Sequence, residues 1–309
     1  MKLPKSKCAG AFFLPALALG AVAALPFSLR AGEAAVTPTA PADTPPANRY
    51  GLFNWLDNRS DYGSGLLPEP FLVDDSDLEQ NEARFDWAHS QTGTQRSDVA
   101  KAEFEKGFGP VTLEISIPYE RDVSDDNGVS HGIGNINFGA RTPFYQVVSD
   151  DGFIDSTFGV AAEIGFPVTS AISKNIEVVP KVFNDLVIGG HFSVQTVLGF
   201  STVLGGAEEG GRQNFEYGFV FGYTFQHEEL PWLPLMRQFT PVLELSGEVQ
   251  TNQDDPGHDN LHGDIGFRYN LKAIGPVQPR LGAAFVFPVD YGARQDTDWG
   301  LVTSMVFEY

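Results

Sequence analysis

Histidine and aspartate residues concentrate between positions 254 and 262, where imidazole and carboxylate groups together could bind a divalent metal ion. His258 and His262 flank Asp259, and Asp254 and Asp255 precede them. The same composition is typical of a solvated acidic loop, which is the interpretation we favour. We therefore expect no metal site here, and the sequence indicates no other cofactor.

Ser193 lies two residues after His191, a spacing that places both side chains on one face of a β-strand. A membrane hydrolase would need such a nucleophile and base together with a third group that orients the base. No third partner is apparent in the sequence. We therefore predict that this protein is not an enzyme.

Charged residues recur on one face of the alternating segments that make up most of the chain. If that face lines a channel, these charges would form a constriction that orients and filters a solute. The same charges could instead close the lumen by ion pairing, so that nothing passes. The candidate lumen-facing residues are Arg141, Glu163, Glu216, Glu244, Glu248, Asp264, Arg268 and Arg280.

The elements that must position these residues are β-strands. From position 81 onward, apolar or aromatic residues alternate with small, polar or charged residues, which is the period of a strand. In the run Asn214 to Gln226, for example, Phe219 faces one way and Gly218 the other. We count about twelve such runs of roughly nine to fourteen residues, the length of a tilted strand that crosses a membrane.

The connections between these runs differ in length. Tight turns are predicted at 107–110 and 184–186, whereas 122–131 is predicted to be a long polar loop. Short turns at one rim and long loops at the other are typical of outer-membrane barrels. The predicted strands are 81–90, 98–107, 110–121, 132–144, 155–167, 175–183, 188–202, 213–226, 238–250, 260–271, 276–288 and 298–309.

Several features favour a membrane barrel over a soluble β-protein. The strands are long, they occupy more than half of the chain that would remain after removal of the signal peptide, and the charges lie on the less apolar face. The chain also ends on a strand that carries Leu301, Met305, Phe307 and Tyr309 on one face, which resembles the signal read by the barrel-insertion machinery. We therefore predict an all-β fold, a transmembrane antiparallel up-and-down β-barrel over 81–309, with its C-terminus at the periplasmic rim.

The region before the barrel divides into three parts. Residues 1–31 have the basic start, apolar stretch and small residues of a secretion signal peptide. Residues 32–48 are rich in Pro and Ala and are interpreted as a linker. Residues 49–80 carry aromatic residues among turn formers, and they form either a plug inside the lumen or a surface arm.

Composition excludes several classes of function. The chain has 309 residues and a formal net charge of -20, which argues against nucleic-acid binding because phosphates require a basic surface. Its single cysteine, Cys8, lies in the predicted signal peptide. Removal of that peptide would leave no thiol for disulfides or for zinc-thiolate sites.

One glycine-rich stretch, Gly132 to Arg141, has no third glycine at the spacing of a dinucleotide-binding loop and is interpreted as a barrel strand. This stretch resembles a recurring segment of the outer-membrane family named for the MetA-pathway of phenol degradation, as do Val111 to Glu120 and Gly159 to Pro167. The resemblance implies a transport barrel associated with the catabolism of aromatic compounds. It implies no catalytic residues.

Two functions remain open from the sequence. The first is a channel in the bacterial outer membrane for passive passage of small solutes, with hydrophobic or aromatic ones implied by the family resemblance. The second is a structural or binding barrel that transports nothing and whose acidic extracellular loops contact cations, lipopolysaccharide or a protein. Outer-membrane lipid is an expected partner in both cases.

Overall fold

The computed structural model describes residues 66–74, 76, 81–108, 111–125, 128–205, 211–252, 259–275 and 277–309. Within them the chain forms fourteen β-strands and one helix of four residues, α1 (Ala293–Asp296). No helix among the described residues is long and apolar enough to cross a lipid bilayer. The strands are β1 (Glu82–Thr92), β2 (Gln95–Phe108), β3 (Val111–Ser124), β4 (Gly128–Ile133), β5 (Asn135–Val148), β6 (Ile154–Pro167), β7 (Ile176–Ile188), β8 (Phe192–Leu204), β9 (Gln213–Tyr223), β10 (Phe225–Gln226), β11 (Met236–Gln250), β12 (Asp259–Leu271), β13 (Gln278–Pro288) and β14 (Trp299–Glu308).

The fourteen strands make twelve spans of the wall, because two spans are interrupted by a single residue. Gly134 separates β4 from β5 beside Pro118, whose carbonyl accepts the Gly134 N–H at 3.0 Å. Thr224 separates β9 from β10 in the part of the ladder that faces Pro241, which has no N–H to donate. The predicted number of strands is therefore confirmed.

Each span pairs antiparallel with its neighbour in the chain, and the sheet closes on itself. The first strand, β1, pairs with the last, β14, in a register that runs from Glu82 opposite Glu308 to Gln91 opposite Trp299. No open edge remains at the seam, which satisfies the backbone hydrogen-bonding groups as a lipid environment requires. The predicted antiparallel up-and-down barrel is confirmed.

Alternation along the strands separates two environments. Large apolar side chains face outward and remain exposed, among them Phe85, Trp87, Phe138 and Phe267, so the outer wall presents an apolar surface. Charged and polar side chains point into the barrel and are buried there. The most buried of the charged residues inside are Glu69, Glu82, Arg84, Glu103, Glu105, Arg141, Lys181, Asp185, Glu244, Asp264, Arg268 and Arg280.

Both ends of the barrel chain lie at one rim, which we name the terminal rim. Glu82 begins β1 opposite Glu308 at the end of β14, and the N–H of Tyr309 donates to the Asn81 carbonyl at 2.8 Å. The opposite rim is named the loop rim. It carries the connections after β6, β8, β11 and β13, whose described parts include α1.

The turn predicted at Asn184, Asp185 and Leu186 is wrong, because all three residues lie inside β7. The Asn184 amide donates to Ser156 Oγ at 2.8 Å and thereby ties this part of the strand to β6. The turn comes later, at Gly189 and Gly190, whose φ values of 63° and 71° lie in the left-handed region that suits glycine.

The long loop predicted at 122–131 is also wrong for most of its length. Strands β3 and β4 continue pairing through it, from Tyr119 opposite Ile133 to Ser124 opposite Gly128. The polar sequence therefore forms an extended hairpin at the loop rim, with only 125–127 left as its tip. Polar residues on both faces of a strand conceal the alternation on which the prediction relied.

Candidate functional site

Residues 66–74 and 76, which we name the luminal segment, lie against the inner wall of the barrel. Both of its ends contact the terminal-rim half: the Leu66 carbonyl lies 3.5 Å from Thr224 Oγ1, and Ser76 Oγ donates to Asp185 at 2.6 Å. Its middle lies deeper, where Val73 contacts Gly218 halfway along β9. The described segment therefore has both ends toward the terminal rim and its turn near mid-barrel.

Glu244 of β11 holds the turn of the luminal segment. Its carboxylate accepts three consecutive backbone N–H groups, from Phe71 at 2.7 Å, Leu72 at 2.9 Å and Val73 at 3.2 Å. Glu244 is fully buried, and it lies more than 170 residues after the three residues that donate to it. Hydrogen bonds to an ionised acceptor are the strong kind, so this contact is the main polar anchor of the turn.

Two arginines bind carbonyl groups of the residues that come just before the turn in the chain. Arg268 of β12 donates to the Glu69 carbonyl at 2.7 Å and to the Pro70 carbonyl at 2.9 Å, and Arg84 of β1 donates to the Pro70 carbonyl at 2.6 Å. The Arg268 guanidinium also lies 3.8 Å from the centre of the Phe71 ring, a cation–π geometry. Two strands that only β13 and β14 separate, β12 and β1, thus bind one short stretch of backbone.

Side-chain ion pairs add to these backbone contacts. Lys181 of β7 lies 2.7 Å from the Asp74 carboxylate and 2.6 Å from that of Glu163, so it joins the segment to the wall. Arg280 of β13 pairs with Glu69 and lies 2.6 Å from Glu308. Lys181, Arg280 and Glu69 are buried, whereas Asp74 is half exposed, so removing a partner of one of the buried charges would leave that charge uncompensated.

Amide and hydroxyl groups hold the two ends of the segment. The Gln195 side chain of β8 donates to the Pro68 carbonyl at 2.6 Å and accepts from Ser76 Oγ at 3.0 Å. Gln195 therefore links the beginning of the luminal segment, at Pro68, to its end, at Ser76. Ser76 completes the arrangement through its bond to Asp185.

Packing also fits the segment to the wall. Val73 joins a buried apolar cluster with Phe183, Val197, Val220 and Val242, against which Phe71 packs. Glycines on the inner face make room: a Cβ on Gly222 would lie 3.1 Å from Pro68, and one on Gly282 would lie 2.9 Å from the Phe71 ring. Small residues at these positions are therefore needed to accommodate the segment.

Two polar cavities border the described part of the segment. The larger, of about 360 Å³, lies beside the tip of the segment and is lined by Asp74, Glu216, Glu248, His262 and Asp296 among others. Its charged lining is acidic. The smaller, of about 140 Å³, lies on the other side and is lined by residues of both signs, which include Arg84, Lys101, Glu103, Arg141 and Lys181.

The sequence-predicted lumen residues take three different roles. Glu244, Arg268 and Arg280 contact the luminal segment directly, and Glu163 reaches it through Lys181. Arg141 pairs with Glu105 and lies 3.4 Å from Glu114. The remaining three residues are acidic and have no described contact with the segment: Asp264 stands directly opposite Glu244, and Glu216 stands opposite Glu248.

Sequence reasoning missed several residues that hold the segment. Lys181, Arg84 and Gln195 lie on the same inward face as the predicted set, and strict alternation could have identified them. Asp185 was missed because it was placed in a turn. These four residues lie on three different strands. Nothing local in the sequence therefore indicates that all of them bind the luminal segment.

The hydrolase geometry considered for His191 and Ser193 does not form, and the prediction that they share a face is wrong. His191 precedes β8, and its ring stacks on the outward-facing Tyr223 at 5.5 Å. Ser193 points inward and is buried. A turn residue need not follow the alternation of the strand beside it.

The metal cluster considered between positions 254 and 262 is only partly visible, because 253–258 lie outside the described residues. His262 lines the larger cavity, whereas Asp259 accepts a hydrogen bond from the exposed Tyr217 hydroxyl at 2.9 Å. In the described part of the chain, three carboxylates do approach one another, those of Glu82, Glu103 and Glu105. Glu105 pairs with Arg141 and Glu103 lies 2.7 Å from Lys101, so basic groups already pair with two of these three carboxylates.

The predicted insertion signal lies on β14 and just beyond it. Leu301 and Met305 are exposed on the outer wall, and Phe307 and Tyr309 are half-buried near the terminal rim. The predicted signal peptide and linker, 1–31 and 32–48, lie outside the described residues, as do 49–65, 75 and 77–80.

Comparison with known proteins supports the architecture. No protein-family model and no curated protein matches the chain. Among solved structures, an outer-membrane channel from Pseudomonas putida F1 matches with a TM-score of 0.54 and 12% identity, covering 78% of this chain and 99% of that chain. The NanC porin matches with a TM-score of 0.44 and 8% identity, covering 74% of this chain and 98% of that chain.

At 12% identity, the similarity to the Pseudomonas putida F1 channel establishes a shared fold. The chain is thus a closed antiparallel barrel of twelve spans with the architecture of outer-membrane proteins.

Proposed function

We propose that this protein is a channel of the bacterial outer membrane for passive passage of small solutes, with its terminal rim in the periplasm. The observation that carries the proposal is the polar lumen, in which two cavities lined by charged side chains lie on either side of the luminal segment. A barrel with an apolar exterior and a charged, hydrated interior suits a membrane pore.

The luminal segment sets the width of this channel. It is anchored by Glu244, Arg268, Lys181 and Gln195, so it occupies part of the lumen as a plug rather than lying on the surface as an arm. We propose that solutes pass when the segment is displaced. We further propose that these solutes are hydrophobic or aromatic. This part of the proposal is based on the resemblance to the MetA-pathway family.

The test is conductance of the purified full-length protein in planar bilayers, alongside a variant that lacks 49–78. We expect small or intermittent openings for the full chain and larger, stable openings for the variant. Deletion of 32–48 alone is the matched control and should leave the openings unchanged. Liposome swelling with phenolic and sugar solutes of similar size would test the aromatic preference.

A second function is favoured by the number of bonds that hold the luminal segment. If the segment never leaves, the protein is a structural or binding barrel and conducts nothing. Absence of conductance and of solute entry in the full chain would favour this alternative. Conductance in the 49–78 deletion alone would add that the segment is what closes the lumen.

A further inference from the structure

Three buried arginines lie close together on the inner wall of the terminal-rim half, on strands that are near neighbours in the sheet. Arg84 of β1 and Arg280 of β13 both stand opposite Val306 of β14, one on each side of it. Arg268 of β12 stands opposite Gly282, two residues along β13 from Arg280. All three arginines are at most 3% exposed. They form one basic surface, which we name the arginine patch.

Arg268 depends on the luminal segment for its hydrogen bonds. Its Nε and Nη2 atoms donate to the Glu69 and Pro70 carbonyls, and its Nη1 atom has no hydrogen-bond partner among the described residues. Within the same part of the chain, Arg268 forms no ion pair with a carboxylate. A buried guanidinium without acceptors is unfavourable, so displacement of the segment leaves Arg268 in need of an anion.

The segment presents a carboxylate and an aromatic ring to the arginine patch. Glu69 is fully buried, and its carboxylate pairs with Arg280. The centre of the Phe71 ring lies 3.8 Å from the Arg268 guanidinium. Arginine binds carboxylates strongly and directionally, and its attraction to an aromatic face grows when water is excluded. Because Glu69 and Phe71 are only two residues apart, one small molecule with both groups could take their places.

The wall beside the patch has room for an aromatic ring. A Cβ on Gly282 would lie 2.9 Å from the Phe71 ring, so the absence of a side chain there is what admits the ring. Phe71 also packs against the buried apolar cluster that includes Val242. Val242 stands opposite Gly266, two residues along β12 from Arg268. An apolar surface therefore adjoins the charged one.

Acidic residues of the wall also act on the patch, and they must be weighed against binding of an anion. They are Glu82, Asp86, Glu103, Glu244, Asp264 and Glu308. Asp86 and Glu103 also pair with Lys101, at 3.7 Å and 2.7 Å. In the presence of all these acids the Glu69 carboxylate is held against Arg280. A solute carboxylate that replaces that of Glu69 leaves the net charge around the patch unchanged.

We propose that the arginine patch is a binding site for an aromatic monocarboxylate, and that the luminal segment occupies this site as an internal substitute for the solute. The carboxylate of the solute takes the place of the Glu69 carboxylate at Arg280. Its ring takes the place of the Phe71 ring on Arg268. The inference rests on the proposed passage of small solutes and narrows their class. Because solute and segment compete for the same groups, binding of the solute favours displacement of the segment.

The first test measures displacement of the segment in liposomes, with the full chain carrying Cys8→Ser and Leu72→Cys. We expect 3-phenylpropionate to raise the rate of maleimide labelling at position 72 about fivefold, with saturation. The matched compounds are 3-phenylpropanol, which lacks the charge, and 3-cyclohexylpropionate, which lacks the aromatic ring. The alcohol should have no effect, and the saturated acid should act about threefold more weakly than the aromatic one.

The second test measures binding of radiolabelled 3-phenylpropionate by equilibrium dialysis of the full chain in lipid nanodiscs, with empty nanodiscs as background. Gln195→Ala loosens both ends of the segment without changing any charge, so the apparent affinity should rise about tenfold. Asn214→Ala is the matched control, because this buried amide donates to Glu248 and has no described contact with the segment. It should leave the affinity unchanged. Addition of Arg268→Met to Gln195→Ala should weaken binding at least about tenfold.

Several results would overturn the proposal. Equal acceleration of labelling by 3-phenylpropanol would show that the carboxylate is not recognised, and equal acceleration by 3-cyclohexylpropionate would show the same for the ring. Binding that is indifferent to Arg268→Met would show that the arginine patch is not the site. The labelling measurement needs no change in the wall, so it decides the question if a wall variant fails to insert.

Failure of this proposal can be told apart from failure of the proposed channel. Conductance in planar bilayers without binding of 3-phenylpropionate would refute the site and leave the channel. Binding without conductance or solute entry would leave the site and refute the channel.

Discussion

Replacing Glu244 by glutamine should release the luminal segment from the barrel wall. The carboxylate accepts the N–H groups of Phe71, Leu72 and Val73, and glutamine retains one acceptor oxygen but introduces an N–H₂ group that points at the same donors. A hydrogen bond to a charged group contributes about 1.5–3 kcal/mol, roughly twice a neutral one. Three weakened bonds then cost about 2–4 kcal/mol of docking free energy.

That loss raises the ratio of undocked to docked segment roughly 30-fold to 1,000-fold, since about 1.4 kcal/mol corresponds to a factor of ten. In planar bilayers we expect longer openings of larger conductance for Glu244→Gln than for the unaltered chain. In liposomes, a cysteine introduced at Leu72, with Cys8 replaced by serine, should react faster with a maleimide when Glu244 is changed.

The matched control is Glu248→Gln, four residues along the same inner face of β11. Glu248 lines the larger cavity and accepts from the Asn214 amide at 3.3 Å, and it has no described contact with the segment. This variant should leave cysteine labelling unchanged. If Glu244→Gln and Glu248→Gln gave the same labelling rate as the unaltered chain, Glu244 would not anchor the segment and the reasoning would be refuted.

Three further changes test other parts of the structure. Arg268→Met should weaken docking of the segment by about 2–3 kcal/mol, because the Glu69 carbonyl loses its donor and the Pro70 carbonyl keeps only Arg84. The cysteine-labelling assay would detect this change, and labelling at the unaltered rate would contradict the role of Arg268. Phe219→Arg should destabilise the inserted barrel by about 2–4 kcal/mol near the midplane, measured by urea unfolding in liposomes, and tolerance there would contradict the outward facing. Gly190→Val should destabilise the inserted barrel by about 1–2 kcal/mol in the same assay, because valine disfavours the left-handed φ of 71°. An unchanged stability would mean that the turn adjusts to the valine.

Local patterns in the sequence were sufficient to predict the barrel. The alternation of residue types along a strand repeats every two positions, so inward and outward faces follow from neighbours alone. That is why twelve spans, their antiparallel order and the inward placement of Glu244 and Arg268 could be expected. The two wrong boundaries, at 184–186 and 122–131, arose where polar residues stand inside paired strands.

The contacts that define the lumen could not be predicted from the sequence, because they join residues far apart in the chain. Glu244 binds backbone groups that lie more than 170 positions earlier, and any inward carboxylate at the right depth could have served. Alternation determines which way a side chain points but carries no information about what it meets inside. Only barrel closure, which sets the depth and angle of each strand, brings Glu244, Arg268 and Lys181 around the same short segment.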